Sequence, residues 1–253
     1  MDIDSIVHVA TLAGKIILES GGETYRVEET IVRICHSFGI SQADSYVTPT
    51  GIMVSVCHDK NTKTLIKRVK SRGNNLQKIH LVNNLSRELY VKEYTVTEFE
   101  EKLNEINSIP AYPFKINVLC AGIAAASFAI PFGGTFKDFI AAFFIGMIIK
   151  VFVIYAEKLS LNSFFINSIG GAIAAVLAII SSQLGISSNV NNVIIGSIML
   201  LVPGMIITNA IRDTISGDLV SGLTKAAEAI LIAVSIAVGT GMVMNIWINH
   251  LGG

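Results

Sequence analysis

The distribution of charge divides this chain into two stretches that cannot share one solvent. Residues 1–115 carry 28 charged side chains, 14 basic and 14 acidic, whereas residues 116–253 carry ten, five of each sign. About one residue in four is charged in the first stretch and about one in fourteen in the second. That pattern predicts a soluble domain followed by a membrane domain, and the totals of 51% apolar against 15% charged residues agree. Acid and base balance within each stretch, so no basic stripe exists and nucleic-acid binding is excluded. The apolar content excludes disorder.

The start, Met1-Asp2-Ile3-Asp4, is acidic, and Lys15 and Glu19 interrupt the apolar run behind it. It lacks the basic and apolar regions of a signal peptide, so the first stretch is expected in the cytosol. Three cysteines, Cys35, Cys57 and Cys120, form no disulfide framework and read as reduced thiols. Cys35-His36 and Cys57-His58 suggest zinc at first sight, but adjacent side chains diverge by about 100° on a helix or 180° on a strand. Neither pair closes on one ion; no metal and no cofactor is expected.

Within the polar stretch, Ile6, Val9, Ala10, Ala13, Ile16 and Ile17 recur at helical spacing, predicting a helix over 3–19 that stops at Gly21-Gly22. A second begins near Glu23-Thr24, buries Val27, Ile31, Ile34 and Phe38, and closes at Gly39. Residues 46–48, 52–57 and 64–69 read as three short antiparallel strands with turns at Pro49-Thr50-Gly51 and Asp59-Lys60-Asn61. Leu81, Val82, Leu85 and Leu89 mark a third helix. Thr95-Val96-Thr97-Glu98 is a capping box opening a fourth, with Phe99, Leu103 and Ile106 as its seam. The result is an α+β domain over 1–112. It has no Walker loop, GxGxxG, GxSxG or HExxH, so no nucleotide site or nucleophile is announced. Its most unusual segment runs from Ser20 to Thr30. Two glycines leading into a helix free backbone N–H groups for an anion, with Arg26 beside them, while Glu23, Glu28 and Glu29 oppose one. A tight interhelix turn explains the same residues.

Five apolar runs in 113–253 reach the roughly 17–25 residues a bilayer requires: 116–132, 139–155, 164–181, 193–211 and 226–248. The expected fold is therefore an all-α membrane bundle of about five helices preceded by a small cytosolic α+β domain, in a multi-pass protein of the plasma (inner) membrane. Gly170-Gly171-Ala172 and Ala124-Ala125-Ala126 provide small-residue faces suited to close packing against one another, a partner or a second copy of the chain. Lipid covers what remains. The basic residues near helix ends place Lys158, Arg212 and Lys225 inside with residues 1–115, and Lys137 outside. An odd number of spans leaves the carboxyl terminus, with His250, outside.

Polar groups within spans are costly and are functional candidates by default. Lys150 lies inside the second run, where it either snorkels to the inner surface or faces a cavity. Pro203-Gly204 breaks the fourth, which is either a packing kink or a broken helix exposing backbone for an ionic substrate. Asn209, Arg212, Asp213, Asp218 and Glu228 cluster around the inner ends of runs four and five. Helix-end charges account for Arg212, Asp213 and Asp218, but less well for Asn209 and Glu228, which sit in apolar context.

The segments Ser20–Thr30, Val47-Thr48-Pro49-Thr50-Gly51, Val202–Asp213 and Gly217-Asp218-Leu219-Val220-Ser221-Gly222, in this order, resemble the threonine/serine exporter (ThrE) family, and most closely its YjjP-like members. The resemblance covers nearly the whole chain. It implies that full-length exporters carry about ten spans, and that the missing half is supplied here by a separate small membrane subunit of the YjjB type. It implies a small carboxylate or amino-acid substrate, threonine and serine for the family and succinate for the split form. It marks Glu23, Tyr25, Arg26 and Glu28 as cytosolic motif positions, with Pro203, Gly204, Asn209, Arg212, Asp213 and Asp218 on the membrane side. Arg212 is the natural partner for a substrate carboxylate, and Asp213, Asp218 or Glu228 for a coupling proton.

The leading expectation is one subunit of a secondary exporter. A membrane-anchored sensor with a ligand-binding cytosolic domain is the alternative. Enzyme activity is not expected, because the acids and Tyr25 make no nucleophile, base and orienting group.

Overall fold

A computed structural model describes residues 2–110 and 112–250; the chain end beyond His250, expected on the outer side of the membrane, lies outside the described residues. In chain order the elements are α1 (Ile3–Glu19), α2 (Thr24–Ser37), β1 (Gln42–Thr48), β2 (Gly51–His58), β3 (Asn61–Arg68), α3 (Leu76–Glu88), α4 (Val96–Ser108), α5 (Phe114–Ala129), α6 (Phe136–Lys158), α7 (Ser163–Gln183), α8 (Val190–Ile198), α9 (Gly204–Ile215) and α10 (Leu219–His250). They form two compact units. Unit 1 contains residues 1–110 together with 204–227, and unit 2 contains 111–203 and 228–253.

In unit 1, α1 buries the predicted stripe of Ile6, Val9, Ala10, Ala13, Ile16 and Ile17. It ends in a Schellman motif: Gly21 takes φ +86°, its N–H donates to Leu18 O at 3.1 Å, and the Gly22 N–H donates to Ile17 O at 3.0 Å. The strands form an antiparallel meander in the order β1-β2-β3, with Tyr46 opposite Met53 and Met53 opposite Ile66. Ile52, Val54 and Val56 alternate into the core, as a half-buried strand requires. Asp59 and Lys60 both have positive φ, at 49° and 65°, the signature of a type I′ hairpin. At the start of α4 the capping box is complete: Thr95 Oγ1 accepts from the Glu98 N–H at 3.2 Å, and Glu98 Oε2 accepts from the Thr95 N–H at 2.9 Å. Helix α9 and residues 219–227 of α10 complete the unit. The outer edge of β1 is closed by side chains, because Val47 N–H donates to Glu28 Oε1 at 2.7 Å and Val47 O accepts from Ser221 Oγ at 3.2 Å.

Unit 2 is built with small residues inside and large ones outside. A Cβ on Gly122 would stand 2.9 Å from Phe143 O, one on Gly196 2.8 Å from Ala125 O, and one on Gly171 2.7 Å from Ile236 O. These contacts bring α5 onto α6 and α8, and α7 onto α10. Phe144, Ile148, Phe165, Val176 and Leu231 face outward. Such an exterior suits hydrocarbon, where close backbone approach rather than burial from water holds helices together. At the start of α6, Asp138 is fully buried and binds two segments. One oxygen accepts from Thr135 N–H at 2.8 Å and Thr135 Oγ1 at 2.9 Å; the other accepts from the Ser188 and Asn189 N–H groups at 2.7 and 3.0 Å.

The expected five-helix membrane bundle is not what forms. Among the described residues three helices are long and apolar enough to cross a membrane: α6, α7 and α10. Run 116–132 yields α5, whose 16 residues span roughly 24 Å at about 1.5 Å per residue, short of a hydrocarbon core of about 30 Å. Pro131 lies just beyond its end. Run 193–211 is two helices, because α8 ends at Ile198 and α9 begins at Gly204. Pro203 removes a backbone donor and crowds the preceding turn, and α9 belongs to unit 1. The topology expected from five spans falls with that count.

Candidate functional site

The Schellman turn sets the chain direction so that Glu23 precedes α2 and the Thr24 N–H is the first of its unsatisfied donors. The break at Pro203 starts α9 such that Asn209, Arg212 and Asp213, at spacings i, i+3 and i+4, share one face. Within unit 1 the two segments meet. Asn209 Nδ2 donates to Gly21 O at 2.8 Å, and Arg212 Nη1 donates to Glu23 Oε1 at 2.5 Å. The other Glu23 oxygen accepts from Arg26 Nε at 2.8 Å. Thr24 N–H donates to Asp213 Oδ1 at 3.1 Å, and Lys225 Nζ donates to Asp213 Oδ2 at 2.6 Å. The α2 amino terminus therefore holds an anion, and that anion is an Asp213 carboxylate from the same chain.

Glu23 is 8% exposed and Arg212 55%. Burial raises the Glu23 carboxyl, but the Arg26 hydrogen bond, its own backbone N–H and Arg212 outweigh burial and hold it at about 2. Its carboxylate in turn raises the Arg26 guanidinium, against burial. Because the folded value lies below the unfolded one of 4.5, the stabilisation is present above that pH and lost as pH falls toward 2, amounting to about 1–2 kcal/mol when complete, since water screens the half-exposed Arg212 partner. Thermal unfolding in detergent should show the wild type losing stability between pH 4.5 and 2.5 more steeply than Glu23→Gln. Equal slopes would remove the assignment. Glu28 is shifted the other way: burial raises it, the Val47 N–H opposes, and the Asp218 and Asp213 charges add to the rise.

Beside the Glu23–Arg212 contact is a cavity of about 350 Å³. Glu23, Arg26, Thr208, Asn209 and Arg212 supply its polar wall, and Leu76, Ile79 and Met205 its apolar one. Its size and mixed lining suit a small ligand. Residues 8–247 match the sequence profile of the family described as "Putative threonine/serine exporter". The chain belongs to the threonine/serine exporter family. It is 24% identical to the "Probable succinate transporter subunit YjjP" of Klebsiella aerogenes, over 91% of this chain and 90% of that one. The Escherichia coli K12 protein of the same description is also 24% identical, over 96% and 95%. The "Threonine/serine exporter" of Corynebacterium glutamicum is 22% identical over 95% of this chain but only 51% of its own length. No solved structure matches.

In this member of the threonine/serine exporter family, the structure brings Glu23, Arg26, Asn209 and Arg212 to one cavity, and Asp213 to the Thr24 N–H next in sequence to Glu23. Tyr25 lies against Arg26, with its hydroxyl 3.4 Å from Nη2 and the guanidinium carbon 5.8 Å from the ring centre. Asp218 Oδ2 accepts from Thr24 Oγ1 at 3.4 Å. Glu28 closes the β1 edge, and Gly204 begins α9 with open space around it. Pro203, Lys150 and Glu228 belong to unit 2. Sequence reasoning missed Lys225 and Thr24 as members. A lysine twelve residues beyond Asp213, in the charge-poor stretch, was the available signal. Among the described residues no group of three His, Cys, Asp or Glu could hold a metal.

Proposed function

We propose that this protein is one subunit of a secondary exporter of small carboxylates or amino acids, of the succinate or threonine/serine class. It works with a separate small membrane subunit, and unit 1 lies on the cytosolic side. The observation carrying this reading is the meeting of two motif segments 188 residues apart at one cavity with two guanidiniums. Guanidinium forks recognise carboxylates. The whole-chain similarity to proteins described as succinate transporter subunits supports the substrate class, and the half-length match to the Corynebacterium exporter supports a second subunit. Vesicles loaded with labelled succinate or threonine should show efflux when this chain and a short polytopic partner are inserted together, and none with either alone. One observation favours a sensor instead: the ionic cluster lies wholly within unit 1. Absence of efflux from vesicles carrying both chains, with ligand binding retained, selects that reading.

A further inference from the structure

We infer that the cavity beside Arg212 binds a small carboxylate by exchange: Glu23 is an internal occupant of the guanidinium seat, and the ligand displaces it from Arg212. The inference rests on the proposed substrate class and adds how the site is filled and emptied.

The geometry of Glu23 is that of a recognised ligand. Its two oxygens are divided between two guanidiniums, with Arg212 Nη1 at 2.5 Å from one and Arg26 Nε at 2.8 Å from the other. The Arg212 side chain is 55% exposed and lines the cavity, so a small solute can reach the guanidinium while Glu23 is bound to it. A guanidinium presents five N–H donors in a fixed fork, and Arg212 gives Glu23 only Nη1. A carboxylate entering the cavity could take two donors of that fork at once, where Glu23 takes one. Two further contacts let Glu23 leave without unfolding the site. Asn209 holds Gly21 O at 2.8 Å, and Asp213 holds Thr24 N–H at 3.1 Å, so the α2–α9 junction is fixed on both sides of Glu23 independently of it. Arg26, three residues on in the first turn of α2, keeps the displaced Glu23 carboxylate neutralised.

An internal competitor lowers apparent affinity by the fraction of time it occupies the seat. Exchange suits a carrier, which must release what it binds.

Binding of succinate, and of threonine in a parallel series, is measured by titration calorimetry on the purified full chain in detergent, with thermal unfolding as the folding control. Glu23→Gln removes the competing charge but keeps an amide that Arg212 can contact; succinate should bind about tenfold more tightly. Arg212→Lys keeps a charge for Glu23 but loses the fork; binding should weaken about tenfold with unfolding little changed. If folded Glu23→Gln binds succinate and threonine no more tightly than the wild type, exchange is overturned. Should that variant not fold, Arg212→Lys decides: wild-type affinity in it overturns the site, and weakened affinity supports it. Binding is read without transport, so absence of efflux from the two-subunit vesicles would sink the exporter reading and leave this one standing.

Discussion

Lys225→Met should destabilise the chain by about 3–5 kcal/mol, because it leaves a carboxylate buried without its counter-charge. Asp213 is fully buried, and Lys225 is 3% exposed at 2.6 Å from it. Among the described residues the carboxylate's other hydrogen bond comes from the Thr24 N–H at the α2 amino terminus, whose partial positive charge does not replace a full ammonium. Asp213→Leu alone should be comparably harmful, since it strands the ammonium and uncaps α2. The double variant should recover most of the loss, as replacing a buried pair with apolar groups is often close to neutral. Thermal or denaturant unfolding of the four proteins in detergent closes the cycle. A loss under about 1 kcal/mol for Lys225→Met would show that the ammonium reaches water or a second anion.

The second large effect belongs to a single methyl group. Gly239→Ala places a Cβ against the Ser168 carbonyl, inside any real contact distance, and the obstacle is backbone that no rotamer change can move. Helix α7 must then withdraw from α10, and with it the contact that seats Gly171 against Ile236 and Thr240. Overpacking of this kind costs about 1–3 kcal/mol, and more where backbone must yield. Two residues along, a methyl group on Gly241 would meet nothing within 4 Å. Gly241→Ala should therefore be harmless, or stabilising by up to about 1 kcal/mol through helix propensity. Equal melting temperatures for the two alanine variants would contradict the packing of α7 on α10.

Much of unit 1 was legible because its signals are local. The apolar spacing from Ile6 to Ile17, the Thr95–Glu98 capping box and the turns at Pro49 and Asp59 each act within a few residues, and each element formed where expected, the strands running a few residues longer. The span count failed because hydropathy sums over a window and does not register a missing donor: Pro131 follows α5, and Pro203 separates α8 from α9. The site was legible as residue types and not as geometry. Asn209, Arg212 and Asp213 stood out as polar groups in an apolar stretch, but their destination depends on α9 belonging to unit 1, a contact between positions nearly 190 residues apart. Asp138 escaped notice although Thr135-Phe136-Lys137-Asp138 has the spacing of a capping box, because its second task, holding Ser188 and Asn189, is equally non-local.

The discontinuity of unit 1 imposes an order on synthesis. Residues 1–110 emerge first, but the groups that occupy the Thr24 N–H, Gly21 O and Val47 O belong to Asp213, Asn209 and Ser221. At about 5–20 residues per second, translation of 111–203 delays them by roughly 5–20 s. All of α5 to α8 must be made within that interval. The closing of the Glu23–Arg212 contact thus records that the intervening apolar helices have already left the ribosome, and until then the first 110 residues present an open strand edge and an uncapped helix to whatever chaperone or membrane receives them.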